Sequence, residues 1–292
     1  MKNILTLLLL SLSVFAKAQD GVLDPSFGGT GVISTSVPGG DVLTERLKVT
    51  VVSGDKIYQC YSISNTGGGA GDFGLVRYNS DGTIDVTFNS GGANPGFVRT
   101  DVGGDDFATS LVVLADGHII VAGYSTTGTP GIKLAKYTPA GVLVSSGFGT
   151  GGIVTTTVGT TAFAYSVIEQ TDLKIVVAGY AEVSAGNFDF AVVRFSSAGV
   201  PDASFDGDGI LTFNFGAGAF IDAAYSIKQQ PADGKLVVGG YSTAGGTNNV
   251  FAVARLTTTG GLDGTFDGDG KQTVVVSGAD DQAYSLDLAP GG

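Results

Sequence analysis

The chain has 292 residues, 48 of them glycine, with 43% hydrophobic and only 14% charged residues. This composition supplies enough apolar side chains for a sizeable core and argues against intrinsic disorder. The formal net charge of −12 repels phosphate backbones, so we expect no nucleic-acid partner.

The first 18 residues are typical of a secretory signal peptide. A basic start at residues 1–3 precedes an apolar run over residues 4–15 and a small-x-small cleavage site at residues 16–18. The run is too short to cross a bilayer, and no later segment is long and apolar enough to be a membrane span. We therefore expect a mature chain of residues 19–292 that is secreted or held at the cell surface.

A block of about 60 residues recurs along the mature chain. Its clearest mark is a strand-like run that ends in a tyrosine, at Tyr61, Tyr124, Tyr180 and Tyr241, which lie 63, 56 and 61 positions apart. A fixed period of this length indicates a repeat architecture in which each unit buries its apolar face against its neighbours.

Each repeat predicts four short strands in a fixed order. The first strand carries a serine before apolar residues, a turn leads to the second strand, which ends in the tyrosine, and the third strand alternates apolar and polar residues. The fourth strand is rich in Thr and Val. Four complete units are predicted, after a lone fourth strand at residues 21–37 and before the start of a further unit at residues 282–288.

These elements predict an all-β fold, a β-propeller-like array of four-stranded blades of about 60 residues that forms an incomplete ring. A β-sandwich array is the alternative, but its modules usually need about 100 residues. Because the sequence stops after the first strand of a unit, we expect the 19–292 repeat domain to be a fragment of a longer protein.

Three recurring motifs carry a resemblance to a known family. They are the run over residues 233–241, which ends in Gly-Gly-Tyr, the Asp-Phe-Ala run over residues 189–194, and the Gly-apolar-Asp-x-x-Phe turn, present at residues 21–27 with one extra residue before the Asp. In this order they resemble the delta-60 repeat family of bacterial exported proteins. The resemblance implies a propeller-like repeat protein that is exported or displayed at the surface, and it implies no catalytic residues.

The basic residue of the third strand keeps a constant distance from an acid in the following turn. The spacing is eight residues in three repeats, and in the remaining repeat both are replaced, by Lys136 and Val144. This covariation predicts an arginine–carboxylate pair that fixes each turn to its blade. The predicted structural pairs are Arg77 with Asp85, Arg194 with Asp202, and Arg255 with Asp263.

Two Phe-Asp-Gly-Asp-Gly loops offer clustered carboxylates, which are ligands that Ca²⁺ prefers. No Glu closes either loop, and Asp-Gly is also ordinary turn chemistry, so calcium is the one possible cofactor and a plain turn is the alternative. The candidate calcium ligands are Asp202, Asp206, Asp208, Asp263, Asp267 and Asp269.

No convergent set of catalytic residues stands out in the sequence. His118 is the only histidine and occupies a hairpin position held by lysine in other repeats, and the repeated serines Ser110, Ser166 and Ser226 fit packing better than ligand contact. The leading prediction is therefore a non-enzymatic exported scaffold that binds an unknown protein or glycan partner. A propeller-type polysaccharide lyase or hydrolase and a structural spacer in a large surface protein are the alternatives.

Overall fold

The computed structural model describes residues 22–38, 41–52, 54–65, 69–216, 220–243, 248–277 and 279–289. Within these residues the secondary structure is sixteen β-strands in four antiparallel sheets of four strands each. In every sheet the strands lie in chain order, so that each sheet is a meander. The predicted signal peptide lies outside the described residues.

The four sheets are the blades of the propeller, numbered here 1 to 4 along the chain. Blade 1 contains β1 (Asp41–Val52), β2 (Lys56–Asn65), β3 (Gly69–Asn79) and β4 (Phe97–Thr100). Blade 2 contains β5 (Asp106–Val113), β6 (Ile119–Ser125), β7 (Gly131–Tyr137) and β8 (Ile153–Thr156). Blade 3 contains β9 (Ala162–Glu169), β10 (Ile175–Ser184), β11 (Asn187–Phe195) and β12 (Ile210–Phe213). Blade 4 contains β13 (Asp222–Gln229), β14 (Leu236–Ser242), β15 (Val250–Leu256) and β16 (Lys271–Val274).

The apolar core lies between the blades, because each sheet buries both of its faces. Ile132 and Leu134 of blade 2 pack with Val167, Ile175 and Val193 of blade 3 in one continuous cluster. Equivalent clusters join blade 1 to blade 2 and blade 3 to blade 4. A single blade therefore lacks a core of its own, which is why the unit recurs.

A β-bulge in the first strand explains the small residue before the recurring tyrosine. In blade 3 the pairing shifts around Tyr165, since Ala164 pairs with Gly179 and Ser166 with Ala178. A Cβ atom at Gly179 would overlap the carbonyl oxygen of Phe163, which the bulge brings close. The same shift occurs in blades 2 and 4, where a Cβ atom at Gly123 or Gly240 would likewise overlap a backbone carbonyl oxygen of the first strand.

The repeated serines connect the first strands of neighbouring blades. The Oγ atom of Ser110 accepts a hydrogen bond from the backbone N–H of Val167 at 3.2 Å, and Ser166 accepts one from Ile227 at 3.3 Å. Ser226 accepts the equivalent bond from Leu286 at 3.2 Å. Their hydroxyls thus serve packing between the inner strands β5, β9 and β13, which contact one another in sequence.

The antiparallel order gives each blade two different ends. At one end, which we call the loop edge, the first and third strands begin and the second and fourth strands end. At the opposite end, the turn edge, lie the hairpin between the first two strands and the turn between the third and fourth strands. Candidate chemistry must be assigned to one of these two edges.

The prediction of an all-β array of four-stranded blades is confirmed. Parts of the partial units predicted at both ends also lie against the blades. Ile33 and Val37 pack against blade 1, and Leu286 bonds to Ser226 of blade 4. No strand is assigned over the described residues 22–38 or 279–289.

Replacing Ser166 by Ala should lower the free energy of unfolding by about 1–3 kcal/mol, because the buried N–H of Ile227 loses its acceptor. The measurement is urea unfolding followed by circular dichroism. Ser146→Ala, at an exposed loop position, is the control and should change stability by less than about 0.5 kcal/mol. Equal stability of the two variants would show that the serine does not connect the blades.

Candidate functional site

The arginine of the third strand is the centre of a contact at the turn edge. Arg194 Nε lies 2.8 Å from Asp202 Oδ2, and Nη2 donates to Ser204 Oγ at 3.0 Å. The guanidinium carbon lies 4.7 Å from the centre of the Phe205 ring, and Nη1 donates to the carbonyl of Thr258, in the next blade, at 2.6 Å. One side chain therefore binds its own turn and the neighbouring blade.

The same arrangement recurs around the other two predicted pairs. Arg77 Nε lies 2.8 Å from Asp85 Oδ2 and donates through Nη1 to the carbonyl of Pro139 in the next blade. Arg255 Nε lies 2.6 Å from Asp263 Oδ2. A lysine from the hairpin reaches each of the three carboxylates, at 2.7 to 3.2 Å; these are Lys56, Lys174 and Lys235.

Blade 2 lacks the acid, and its other two positions change with it. Lys136 replaces the arginine and keeps the ring contact, with Nζ 5.6 Å from the centre of the Phe148 ring. His118 takes the place of the hairpin lysine and lies 3.1 Å from Asp116 in its own turn. The hairpin lysine therefore changes together with the arginine and the acid, as a third member of the set predicted from the sequence.

The predicted calcium ligands occupy turns in which their oxygens already accept hydrogen bonds. Asp202 Oδ2 contacts Arg194 and Lys174, and Asp202 Oδ1 accepts bonds from Ser204. Asp208 Oδ1 accepts the N–H of Ile210 at 2.8 Å. In blade 4, Asp263 and Asp269 repeat these roles, and Asp206 and Asp267 have positive φ values of 50° and 49°. Calcium at these loops stays a prediction.

A different group of acids meets at the loop edge between blades 1 and 2. One oxygen each of Asp72, Asp101 and Asp106 lies within 4.8 Å of the others. These residues stand near the start of β3, just after β4 and at the start of β5. The sequence gives no sign of this group, because the three acids lie apart in the chain and come from two blades.

A second acid pair occupies the loop edge between blades 3 and 4. Asp222 is fully buried and Asp189 is 7% exposed. Burial raises the pKa of both carboxyls, and the charge of Asp222 raises that of Asp189 further, against a hydrogen bond from Asn187. A carboxyl that stays protonated to a higher pH than usual is suited to proton donation.

Aromatic rings line the same edge. Tyr165 is the bulged residue of β9, and its ring centre lies 5.6 Å from that of Tyr180 and 4.7 Å from that of Tyr225. The Tyr225 ring continues to Tyr241 at 5.9 Å and to Tyr284 at 5.1 Å. We call this set the tyrosine row; its members are Tyr124, Tyr165, Tyr180, Tyr225, Tyr241 and Tyr284.

The tyrosine row combines buried and accessible rings. Tyr165 and Tyr225 are 9% and 7% exposed, whereas Tyr284 is 49% exposed and Tyr124, Tyr180 and Tyr241 are half-buried. Burial raises the pKa of Tyr165 and Tyr241, so their phenols are neutral donors at physiological pH. The recurring Tyr-Ser pairs at residues 165, 225 and 284 were the sequence signal for this row.

Four segments of the chain match a protein family described as "Domain of unknown function (DUF5122) beta-propeller". The matched residues are 62–88, 114–143, 170–205 and 232–266, one segment in each blade. The chain is a propeller-like repeat protein. No curated protein matches this repeat protein in sequence.

Solved structures similar to this propeller-like protein include several arabinanases. The endo-arabinase from Bacteroides thetaiotaomicron VPI-5482 shares 12% identity at a TM-score of 0.45, covering 78% of this chain and 80% of the other. The alpha-L-arabinanase of Cellvibrio cellulosa shares 12% identity at a TM-score of 0.40, covering 87% and 84%. A subtype N11 neuraminidase-like protein of A/flat-faced bat/Peru/033/2010 (H18N11) shares 11% identity at a TM-score of 0.47. The coverage is 78% of this chain and 53%, about half, of that protein. At these identities the likeness concerns the fold, and no residue role is carried over.

The leading prediction of a non-enzymatic scaffold is wrong by this comparison, because the similar solved structures include arabinanases. The physical reason is that side chains which meet from different blades cannot be recognised as a convergent set in the sequence. The fold instead brings carboxyls from different blades to one edge, as with Asp189 and Asp222.

Of the predicted partners, a glycan remains compatible with the fold. Among the described residues, none forms a helix suited to crossing a membrane.

The turn-edge pairs predict a pH dependence of stability. Burial of Asp202 opposes its ionisation, but hydrogen bonds from Ser204 and the charges of Lys174 and Arg194 prevail and lower its pKa to about 2. The folded state therefore binds fewer protons than the unfolded state below pH 4, and stability falls as the pH drops from about 4 to about 2.

Asp202→Asn should remove about 2 kcal/mol of stability at pH 7 and leave a smaller loss between pH 4 and pH 2 than in the unaltered protein. Urea unfolding at pH 7, 4 and 2.5 measures both effects. Asp206→Asn, at an exposed position in the same loop, is the control and should keep its stability at pH 7 within about 0.5 kcal/mol. Parallel pH profiles for Asp202→Asn and the unaltered protein would contradict the assignment.

Proposed function

We propose that this propeller is a polysaccharide hydrolase that holds its substrate along the tyrosine row. The row is the observation that carries the proposal, because it presents partly exposed phenol rings from three blades and from the segment that follows them. Flat apolar faces with hydroxyl groups at their edges suit the alternating apolar and polar faces of sugar rings.

Proton donation is assigned to the acid pair of the same edge. Hydrolysis of a glycosidic bond needs an acid that protonates the leaving oxygen while water adds to the anomeric carbon. Asp189 is the less buried member, and burial together with the adjacent charge of Asp222 raises its pKa, so that it stays protonated to a higher pH. In this proposal Asp189 donates the proton, and Asp222 is a positioning residue.

Export and the finer family assignment belong to the same proposal. The basic, apolar and small-residue order of residues 1–18 supports secretion or display at the cell surface, where polysaccharides are accessible. The motifs at residues 21–27, 189–194 and 233–241 support a repeat of the delta-60 kind.

The experiment measures binding and cleavage of a panel of soluble polysaccharides. The panel includes 1,5-α-L-arabinan, since arabinanases are among the solved structures of similar fold. Tyr180→Ala and Tyr284→Ala should weaken binding about tenfold in affinity electrophoresis, because each removes a ring contact. Leu173→Ala, an exposed position at the turn edge, is the matched control and should bind normally.

Asp189→Asn should retain binding and lose the release of new reducing ends. Equal cleavage by Asp189→Asn and the unaltered protein would contradict the role of this acid. Products with an unsaturated terminal sugar would instead indicate elimination and would contradict hydrolysis. If no polysaccharide of the panel binds at millimolar concentration, the proposed function is wrong.

A further inference from the structure

The three carboxylates between blades 1 and 2 are not required by the propeller fold. The positions of Asp72, Asp101 and Asp106 correspond, at the next junction, to Gly131, Thr157 and Ala162. That junction is closed by the same strands without any of the three acids. At the junction of blades 3 and 4 the same positions are Asp189, Asn214 and Asp222, so the acid that sets the first junction apart is Asp101.

One carboxylate oxygen of Asp106 accepts a backbone hydrogen bond, and the other accepts none. Asp106 Oδ2 accepts the N–H of Val102 at 3.0 Å, which fixes the loop before β5. Asp222 repeats both features, since its Oδ2 accepts the N–H of Phe215 at 2.8 Å and its buried Oδ1 also has no hydrogen-bond partner. Asp106 is fully buried, and its Oδ1 accepts no hydrogen bond of normal geometry, although the hydroxyl of Ser125 lies nearby.

The nearby cations do not complete the neutralisation of the three acids. Arg99 forms an ion pair with Asp72. Lys133 is 2% exposed, and its Nζ donates to Thr155 Oγ1 at 3.0 Å; among the described residues it forms no ion pair within 4.0 Å. Asp101 and Asp106 attract this ammonium only from a greater distance. Asp72 and Asp106 are buried and Asp101 is exposed, so three carboxylates against two cations leave a net negative charge beside two buried groups, which a further cation would neutralise.

We propose that Asp72, Asp101 and Asp106 bind a divalent cation of the calcium class at the junction of blades 1 and 2. Three carboxylate oxygens within 4.8 Å of one another are spaced for a shared hard cation, with water reaching it on the exposed side of Asp101. Asp106 Oδ1, which has no other partner, faces low-dielectric surroundings and gains most from the ion.

The site would stabilise the contact between two blades. Asp72 belongs to blade 1 and Asp106 to blade 2, while Asp101 lies in the connection between them. A bound ion therefore links both sheets at the loop edge, where the turn-edge contacts do not reach. This inference does not depend on the proposed hydrolase activity, because it concerns a different junction and needs no glycan.

The experiment titrates the full chain, first treated with EDTA and then dialysed, with CaCl₂ and separately with MgCl₂ by isothermal titration calorimetry. The expected affinity for calcium is in the range of about 10⁻⁴–10⁻³ M, as in other extracellular modules. Calcium at about ten times its Kd should raise the Tm by about 2–4 °C. Asp101→Asn, at an exposed position, should abolish both the heat of binding and the rise in Tm without unfolding the protein.

Asp206→Asn is the matched control, because Asp206 is an exposed member of the loop acids predicted from the sequence to bind calcium. It should bind calcium as the unaltered protein does. The inference is overturned if the unaltered protein releases no heat with either ion, or if Asp206→Asn loses binding while Asp101→Asn keeps it. Cleavage or binding of glycans does not enter these readouts, so the two proposals fail independently.

Discussion

The joint between a phenylalanine of one blade and a glycine of the next is the contact on which the propeller depends. At Gly260, which has a φ of 98°, a Cβ atom would lie 3.0 Å from the ring of Phe205, and Gly141 stands in the same relation to Phe88. The arginine stacks on the ring from its own blade and donates to the carbonyl of the next turn, as Arg194 does. Ring, glycine and guanidinium thus recur together at two junctions, whereas Lys136 takes the place of the arginine beside Phe148.

The two ends of each blade have different roles. The turn edge carries the charged contacts in blades 1, 3 and 4 and the aromatic contact in all four blades. The loop edge carries side chains that differ from junction to junction: Asp72 and Asp106 correspond to Asp189 and Asp222, but to Gly131 and Ala162 between blades 2 and 3. Function can vary at one edge because stability is secured at the other.

The sequence was sufficient for the fold and for the turn edge, and insufficient for the loop edge. Strand order and the spacing of Arg194 and Asp202 follow from local patterns that recur every 60 residues or so. The hydrogen bond from Arg194 to Thr258 joins residues 64 positions apart, and it follows only from the packing of two blades. The tyrosine row and the three acids likewise join residues from different blades, and the bulge at Tyr165 that turns its ring toward Tyr225 has no signal in hydrophobic periodicity.

The most direct test of this account is the free energy of unfolding of Arg194→Ala. The Arg194 side chain is only 4% exposed, and its loss leaves Asp202 without one of its two cationic partners and the carbonyl of Thr258 without its donor. We expect a loss of about 3–5 kcal/mol, and a smaller loss for Arg255→Ala, whose side chain is 21% exposed. An Arg194→Ala variant that keeps the Tm of the unaltered protein would contradict the claim that this contact joins the blades.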